Sequence, residues 1–242
     1  MTMSLHLVRH TSRNAISLWR RRRVLLAELD RDPGIAAARM MASIDLRAVT
    51  GGTPRLRQAA LLIEWKDRAS RDERFADAVW PSSYAAEARE AWSVALDTAR
   101  VLRSDSPNWS PSVDGVAQLR PDEPMAALTF GGVHPRYVPA FNQGNRNVLR
   151  ELDDNSDETF RTGVQDGPLG FGTFTLWRSQ AAMTRFAYRT PTHDGTRKRS
   201  EEQGWTHGQL FVRFRPVASR GTWQGRDPLA ELLASRVSGI RE

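Results

Sequence analysis

Five histidines, His6, His10, His134, His193 and His207, are the strongest neutral nitrogen donors in this chain, and cysteine is absent. An unmodified chain without cysteine forms no disulfide, thiolate zinc site, iron–sulfur cluster or cysteine-ligated haem. Any metal must then sit on histidine, carboxylate, tyrosine or methionine. No two of the histidines have zinc-ligand spacing, and the chain has no HExxH, no GxSxG, no phosphate loop ending in lysine and no strand-linked GxGxxG. The common motif-defined enzyme classes are therefore unsupported.

His193 has the most informative surroundings, in Thr190-Pro191-Thr192-His193-Asp194-Gly195. Proline and a following polar run predict a helix start there, with Arg197 one turn on at i+4. A neutral imidazole in that position can ligate iron while a carbonyl or carboxylate holds its other nitrogen. An isolated histidine at a helix start is equally compatible with simple exposure, and Asp194 with a cap. Arg178 and Arg197 are the arginines to consider for a polar pocket, since a guanidinium can bind oxygen species, substrate acids or propionates. In a chain this rich in arginine, a surface position is the alternative for both. Trp65 and Trp177 lie in central strand patterns, where they line a pocket or anchor a core, and Trp92 and Trp205 read as core anchors.

The elements that must position these residues fall into a repeated order. Ser4 to His10 alternates as a strand, and Ser12 can cap an arginine-rich helix ending near Asp30. After the Asp32-Pro33-Gly34 break come strands at Ile35 to Ile44 and around Leu61 to Trp65, separated by Gly51-Gly52-Thr53-Pro54. Ala69 to Ala78 and Ser83 to Trp92 suit helices split at Pro81, and Val94 to Leu102 a fourth strand.

The order then returns, with strands at Met125 to Phe130, Glu158 to Val164, Phe171 to Trp177 and around Leu210 to Phe214. Helices fit Pro135 to Leu152, Gln180 to Tyr188 and Thr192 to Gln203. Gly167-Pro168-Leu169-Gly170-Phe171-Gly172 precedes a strand instead of opening a helix, which favours a tight turn over a phosphate site. Trp65, Phe75, Pro81, Trp92 and Trp109 recur in order as Trp177, Phe186, Pro191, Trp205 and Trp223. This predicts an α+β chain of two ferredoxin-like (βαββαβ) repeats, at 1–110 and 124–223, with a linker at 111–123 and a C-terminal appendage at 224–242. Two such four-stranded sheets can close into a barrel with a cavity, the appendage packing on one unit or on a second copy of the chain.

Composition narrows the partners. The chain of 242 residues is 40% apolar, enough to bury a core. It has 35 Lys and Arg against 28 Asp and Glu, a balance of +7 carried mainly by arginine. The run Arg20, Arg21, Arg22 and Arg23 lies in a helix whose buried stripe is Ala15, Leu18, Trp19, Leu25, Leu26 and Leu29, so it reads as a solvated face, and no nucleic acid is expected. No stretch approaches the roughly 20 apolar residues of a membrane-spanning helix, and no secretory leader pattern opens the chain, so a cytoplasmic protein is expected.

These motifs resemble the spheroidene monooxygenase family. The likeness involves Ser4-Leu5-His6-Leu7-Val8-Arg9, Leu18-Trp19, Leu62-Ile63-Glu64-Trp65 and Trp92. It is strongest at Phe174-Thr175-Leu176-Trp177, Met183, Phe186-Ala187, Thr190-Pro191 with His193, Gly204-Trp205, and Leu210-Phe211-Val212-Arg213-Phe214. The resemblance implies a dimeric α/β-barrel architecture and a haem enzyme using dioxygen and an external electron donor, such as an electron-transfer protein. It makes His193 the preferred axial ligand and metal-binding residue, with His207 in reserve. Thr192 and Asp194 here interrupt the motif around that histidine, and the many second-half arginines point away from a carotene toward another natural-product or apolar organic substrate. A cofactor-free monooxygenase or isomerase of the same fold, and a non-catalytic ligand-binding protein, are the competing expectations.

Overall fold

Thr2–Arg9 forms the first strand, β1, in which Met3, Leu5 and Leu7 turn to one side and Thr2, Ser4, His6 and Val8 to the other. That two-residue period decides the architecture, because both sides are buried. A computed structural model describes residues 2–44, 46, 54–77, 82–85, 87–104 and 118–238. The expected turn at Gly51-Gly52-Thr53, the break at Pro81, the landmark Trp109 and residues 111–117 of the expected linker lie outside the described residues.

Helix α1 (Ser12–Asp30) follows, then β2 (Ile35–Ile44), β3 (Pro54–Trp65), α2 (Arg68–Ala76), the short α3 (Ser82–Ala85) and β4 (Glu90–Ser104). The second run is β5 (Met125–Val133), a 3-10 turn at Pro135–Tyr137, α4 (Val138–Asp153), β6 (Glu158–Asp166) and β7 (Gly170–Trp177). It continues through α5 (Gln180–Arg189), α6 (Pro191–Gln203) and β8 (Thr206–Gly221), and α7 (Pro228–Ser238) ends the described chain. The strands close into one barrel, in the order β1-β3-β2-β6-β7-β5-β8-β4, with every pairing antiparallel. Within the ring, β4-β1-β3-β2 and β8-β5-β7-β6 are the same ferredoxin-like order, joined by β2–β6 on one side and β4–β8 on the other.

Two local expectations are corrected. Thr11 caps α1 in place of Ser12, its hydroxyl accepting from the Asn14 N–H. Trp92 belongs to β4 and not to a helix, because Trp92, Val94 and Leu96 alternate into the barrel core. The arginine run is on the solvent side of α1, apart from Arg22, which reaches Asp166. The C-terminal helix α7 packs on this chain's own barrel, where Leu229 and Leu232 join the interior cluster.

The interior is filled by Met3, Leu5, Leu62, Trp92, Leu128, Phe174, Val212 and Phe214 among others. Helices cover the outside in two separate layers. One lies over the first half, with Tyr84, Trp65, Met40 and Leu29, and the other over the second, with Trp177, Met183, Phe186, Leu149 and Leu152. No described helix is long and apolar enough to cross a membrane.

Candidate functional site in the second helix–sheet layer

Strand alternation fixes which residues of the second half face its helices. Met125 stands opposite Trp177 and Ala127 opposite Thr175, so Met125, Ala127 and Thr129 on β5 share a face with Thr173, Thr175 and Trp177 on β7. Across β8 the same row continues through Arg213, paired with Ala127, and Phe211, paired with Thr129. Small side chains dominate this shelf, and Ala127, Thr129, Thr173 and Phe211 are only half-buried. At its lower end the Trp177 indole donates to the Thr175 hydroxyl (2.8 Å) and packs on Phe186 of α5, with ring centroids 5.3 Å apart.

His193 completes this ladder from the first turn of α6, its ring centroid 5.1 Å from that of Phe186. The backbone positions it: Thr190 is extended, Pro191 starts the helix, and Gly204 in the left-handed region ends it with its N–H on Glu201 and Ser200 carbonyls. Gly144 lets α4 approach, since a Cβ there would lie 2.6 Å from Thr196 Cγ2. The Ala187 carbonyl accepts from His193 Nδ1 at 2.9 Å, which makes Nδ1 the protonated nitrogen and leaves the lone pair on Nε2. Burial lowers the His193 pKa, with the Ala187 carbonyl opposing and the Arg197 charge assisting. The ring is therefore neutral near pH 7, with one nitrogen fixed and the other available among the described residues.

Arg197 is held beside it by Asp194 (2.7 Å) and Glu201 (2.8 Å), and its guanidinium lies 5.8 Å from the Tyr188 ring. Arg178 donates to the Ser156 carbonyl and the Ser235 hydroxyl, tying the end of β7 to α7. Trp65 sits in the other half, 1% exposed and bonded to Ser4. The structure thus brings Trp177, His193 and Arg197 into one layer and leaves Arg178 and Trp65 outside it. His207, the reserve ligand, is exposed at the start of β8 against His134, their rings 4.6 Å apart.

Two groups escaped the sequence reading. Arg213 is 7% exposed on the shelf, its Nε without a hydrogen bond. Desolvation lowers its pKa, the neighbouring Arg100 charge adds to the shift, and Tyr188 opposes it. The alternation of Leu210, Val212 and Phe214 into the core was the available signal, because it turns Arg213 toward the helices. The second group is Glu158, in a cavity of about 280 Å³ at the barrel end, lined by Phe160, Trp223, Leu152 and Arg161. Burial pushes its carboxyl up to about 8 despite a 2.9 Å contact with Arg161, and one carboxylate oxygen has no hydrogen bond. Among the described residues no three His, Cys, Asp or Glu side chains converge as a metal cage.

Comparison with known proteins supplies the relatives. The chain is 32% identical over 122 residues to the spheroidene monooxygenase of Rhodobacter capsulatus, a match covering 50% of this chain and 51% of that protein. It is 27% identical over 177 residues to the enzyme of the same name from Cereibacter sphaeroides, covering 66% and 54%, and 27% identical over 178 residues to that of Rubrivivax gelatinosus, covering 73% and 67%. All three of these similar proteins are spheroidene monooxygenases. The chain spans about half the length of the first two of them. No family model matches it. Among solved structures, two aldoxime dehydratases share the fold. One superposes with a TM-score of 0.60 at 10% identity over 94% of this chain and 85% of that one. The other, in complex with butyraldoxime, gives 0.56 at 12% identity over 96% and 84%.

Proposed function

We propose that this chain is an oxidoreductase of the monooxygenase kind that acts on an apolar organic substrate and holds haem in the second helix–sheet layer. The observation that carries the reading is the state of His193: neutral, fixed through Nδ1 by the Ala187 carbonyl, with Nε2 available. That is the arrangement an axial imidazole needs. The donor set fits a single axial ligand better than a caged ion, and the half-buried shelf of Ala127, Thr129 and Thr173 offers small side chains for a flat group.

Bound there, haem would supply dioxygen activation, one oxygen atom entering a substrate C–H bond while the other leaves as water, with electrons from an external donor. The chain's own contributions are mechanical and electrostatic. His193 is oriented by Ala187, and Phe186 and Trp177 brace its ring. Burial is the main cause of the lowered His193 pKa, and Arg197, anchored by Asp194 and Glu201 one turn away, adds its positive charge to that effect. Trp65 and Arg178 act at a distance from this layer, as a core anchor and as a tie to α7.

Haemin titration of the purified protein, followed by absorption spectra before and after reduction and with carbon monoxide, tests the reading. A stoichiometric Soret band that shifts on reduction and is lost or displaced in His193→Ala supports it. An unchanged spectrum in that variant removes the ligand assignment.

A second reading is favoured by Glu158. A buried carboxyl that keeps its proton near neutral pH, in a cavity walled by Phe160 and Trp223, can donate a proton to a substrate without any cofactor. It predicts turnover by haem-free protein that falls in Glu158→Gln.

A further inference from the structure

Register places two arginines side by side on the outer surface of the sheet where the halves join. Arg100 of β4 pairs directly with Arg213 of β8, and Arg213 pairs in turn with Ala127 of β5. Like charges opposite one another on adjacent strands repel, and neither guanidinium has a carboxylate partner among the described residues. Elsewhere the chain does pair its well-buried arginine: Arg71, 3% exposed, is held by Asp97 at 2.7 Å. Arg213 is almost as enclosed, at 7%, yet its Nε has no hydrogen bond. Tyr188, from α5, is a polar neighbour of the same guanidinium through its phenol, and its ring lies 5.8 Å from the Arg197 guanidinium.

A buried guanidinium with a second one and a phenol beside it and, among the described residues, no acid is costly to leave unpaired and suited to an anion. The fork geometry of arginine favours a planar, two-oxygen group. The flanking residues are Ala127 and Thr129 on the shelf, so the group would be carried on a flat apolar body.

We propose that Arg213, with Arg100 and Tyr188, is a carboxylate-binding site that anchors the acidic edge of the ligand lying on the second-half shelf. It deepens the functional reading above. The carboxylate could belong to haem itself or to an organic acid substrate, and the two sources are separable. Arg213 is a positioning residue in the first case and a substrate-binding residue in the second.

The test titrates the full chain with haemin and with haemin dimethyl ester, which lacks free carboxylates, in wild type, Arg213→Met and the exposed variant Arg100→Ala. Circular dichroism and thermal melting serve as fold controls. Haemin is expected to bind wild type about tenfold or more tightly than Arg213→Met and measurably more tightly than Arg100→Ala, the scale of one charge-assisted hydrogen bond. The dimethyl ester should bind all three alike. Equal haemin affinity across folded variants overturns the site.

Haemin failing to bind any of them would defeat the haem reading and not this one, which is then decided with benzoate and a naphthoate by thermal shift. Stabilisation of wild type but neither arginine variant supports an acid-substrate site, and no stabilisation of wild type overturns it. If Arg213→Met does not fold, Arg100→Ala and Tyr188→Phe carry the same comparisons, and loss of the ester discrimination in neither of them overturns the proposal.

Discussion

The two halves of the barrel share a strand order but treat their helix–sheet layers in opposite ways. In the first half a connected set of polar groups on the outer face of the sheet satisfies itself, although the His10 ring beside α1 makes no side-chain hydrogen bond. The Trp65 indole donates to Ser4, Ser4 meets His6 Nε2 at 2.8 Å, His6 Nδ1 meets Ser93 at 2.8 Å, and Tyr84 donates to the His6 carbonyl. Arg71 is enclosed by Thr2 and Asp97, with Arg68 on the other carboxylate oxygen. In the second half the corresponding layer is apolar and incompletely covered, and among the described residues His193 is bonded through one nitrogen and Arg213 has no acid, while at the barrel end Glu158 keeps one oxygen without a hydrogen bond. Two histidines packed against phenylalanines of the covering helices, His6 on Phe75 and His193 on Phe186, thus have different fates. One is bonded through both ring nitrogens, and the other through Nδ1 alone among the described residues.

That contrast can be broken most sharply at the buried ion pairs. Arg71→Ala leaves Asp97 enclosed with the exposed Arg68 and the Thr2 hydroxyl as partners, and should cost about 3–5 kcal/mol in denaturant unfolding. The second-half counterpart, Arg161→Ala, should cost about 1–2 kcal/mol, because Glu158 can keep its proton and stay neutral. Similar losses in the two variants would erase the distinction. Next in size is His6→Ala, which strands Ser4 and Ser93 and opens a cavity, for an expected loss of about 2–4 kcal/mol.

The pH dependence of stability should separate the halves by sign. Burial, aided by the Arg220 charge, lowers His6 to about 3, so the folded state binds fewer protons there than the unfolded state. Stability from this group is present above about 6.5 and is lost as pH falls toward 3. Glu158 runs the other way. Its carboxyl is raised to about 8, so its contribution is present below about 4.5 and is lost as pH rises through 8. Unfolding free energies measured from pH 5 to 9 should decline on the alkaline side in wild type and flatten in Glu158→Gln. A wild-type profile identical to that of the variant would remove the shift.

The smallest effect on stability is expected at His193. Its replacement by alanine should change unfolding by no more than about 1 kcal/mol, because a half-buried ring with one backbone bond contributes little. A loss as large as that of His6→Ala would mean both histidines are structural.

Sequence by itself determined the element order, because alternation of apolar residues in Met3–Leu7 and Leu210–Phe214 and the helical stripe of Ala15, Leu18, Leu25 and Leu29 are local signals tied to strand and helix geometry. It also singled out His193 by its place before a helix. It could not show that Trp92 belongs to a strand, since the short helix before it and the barrel wall compete for the same stretch and only core packing decides between them. Nor could it reveal Arg213, Arg100 or Glu158 as unusual among so many charged residues. A charge becomes exceptional through what surrounds it, and those surroundings come from strands more than 100 residues apart, from a closed ring and from covering helices that only the tertiary fold assembles.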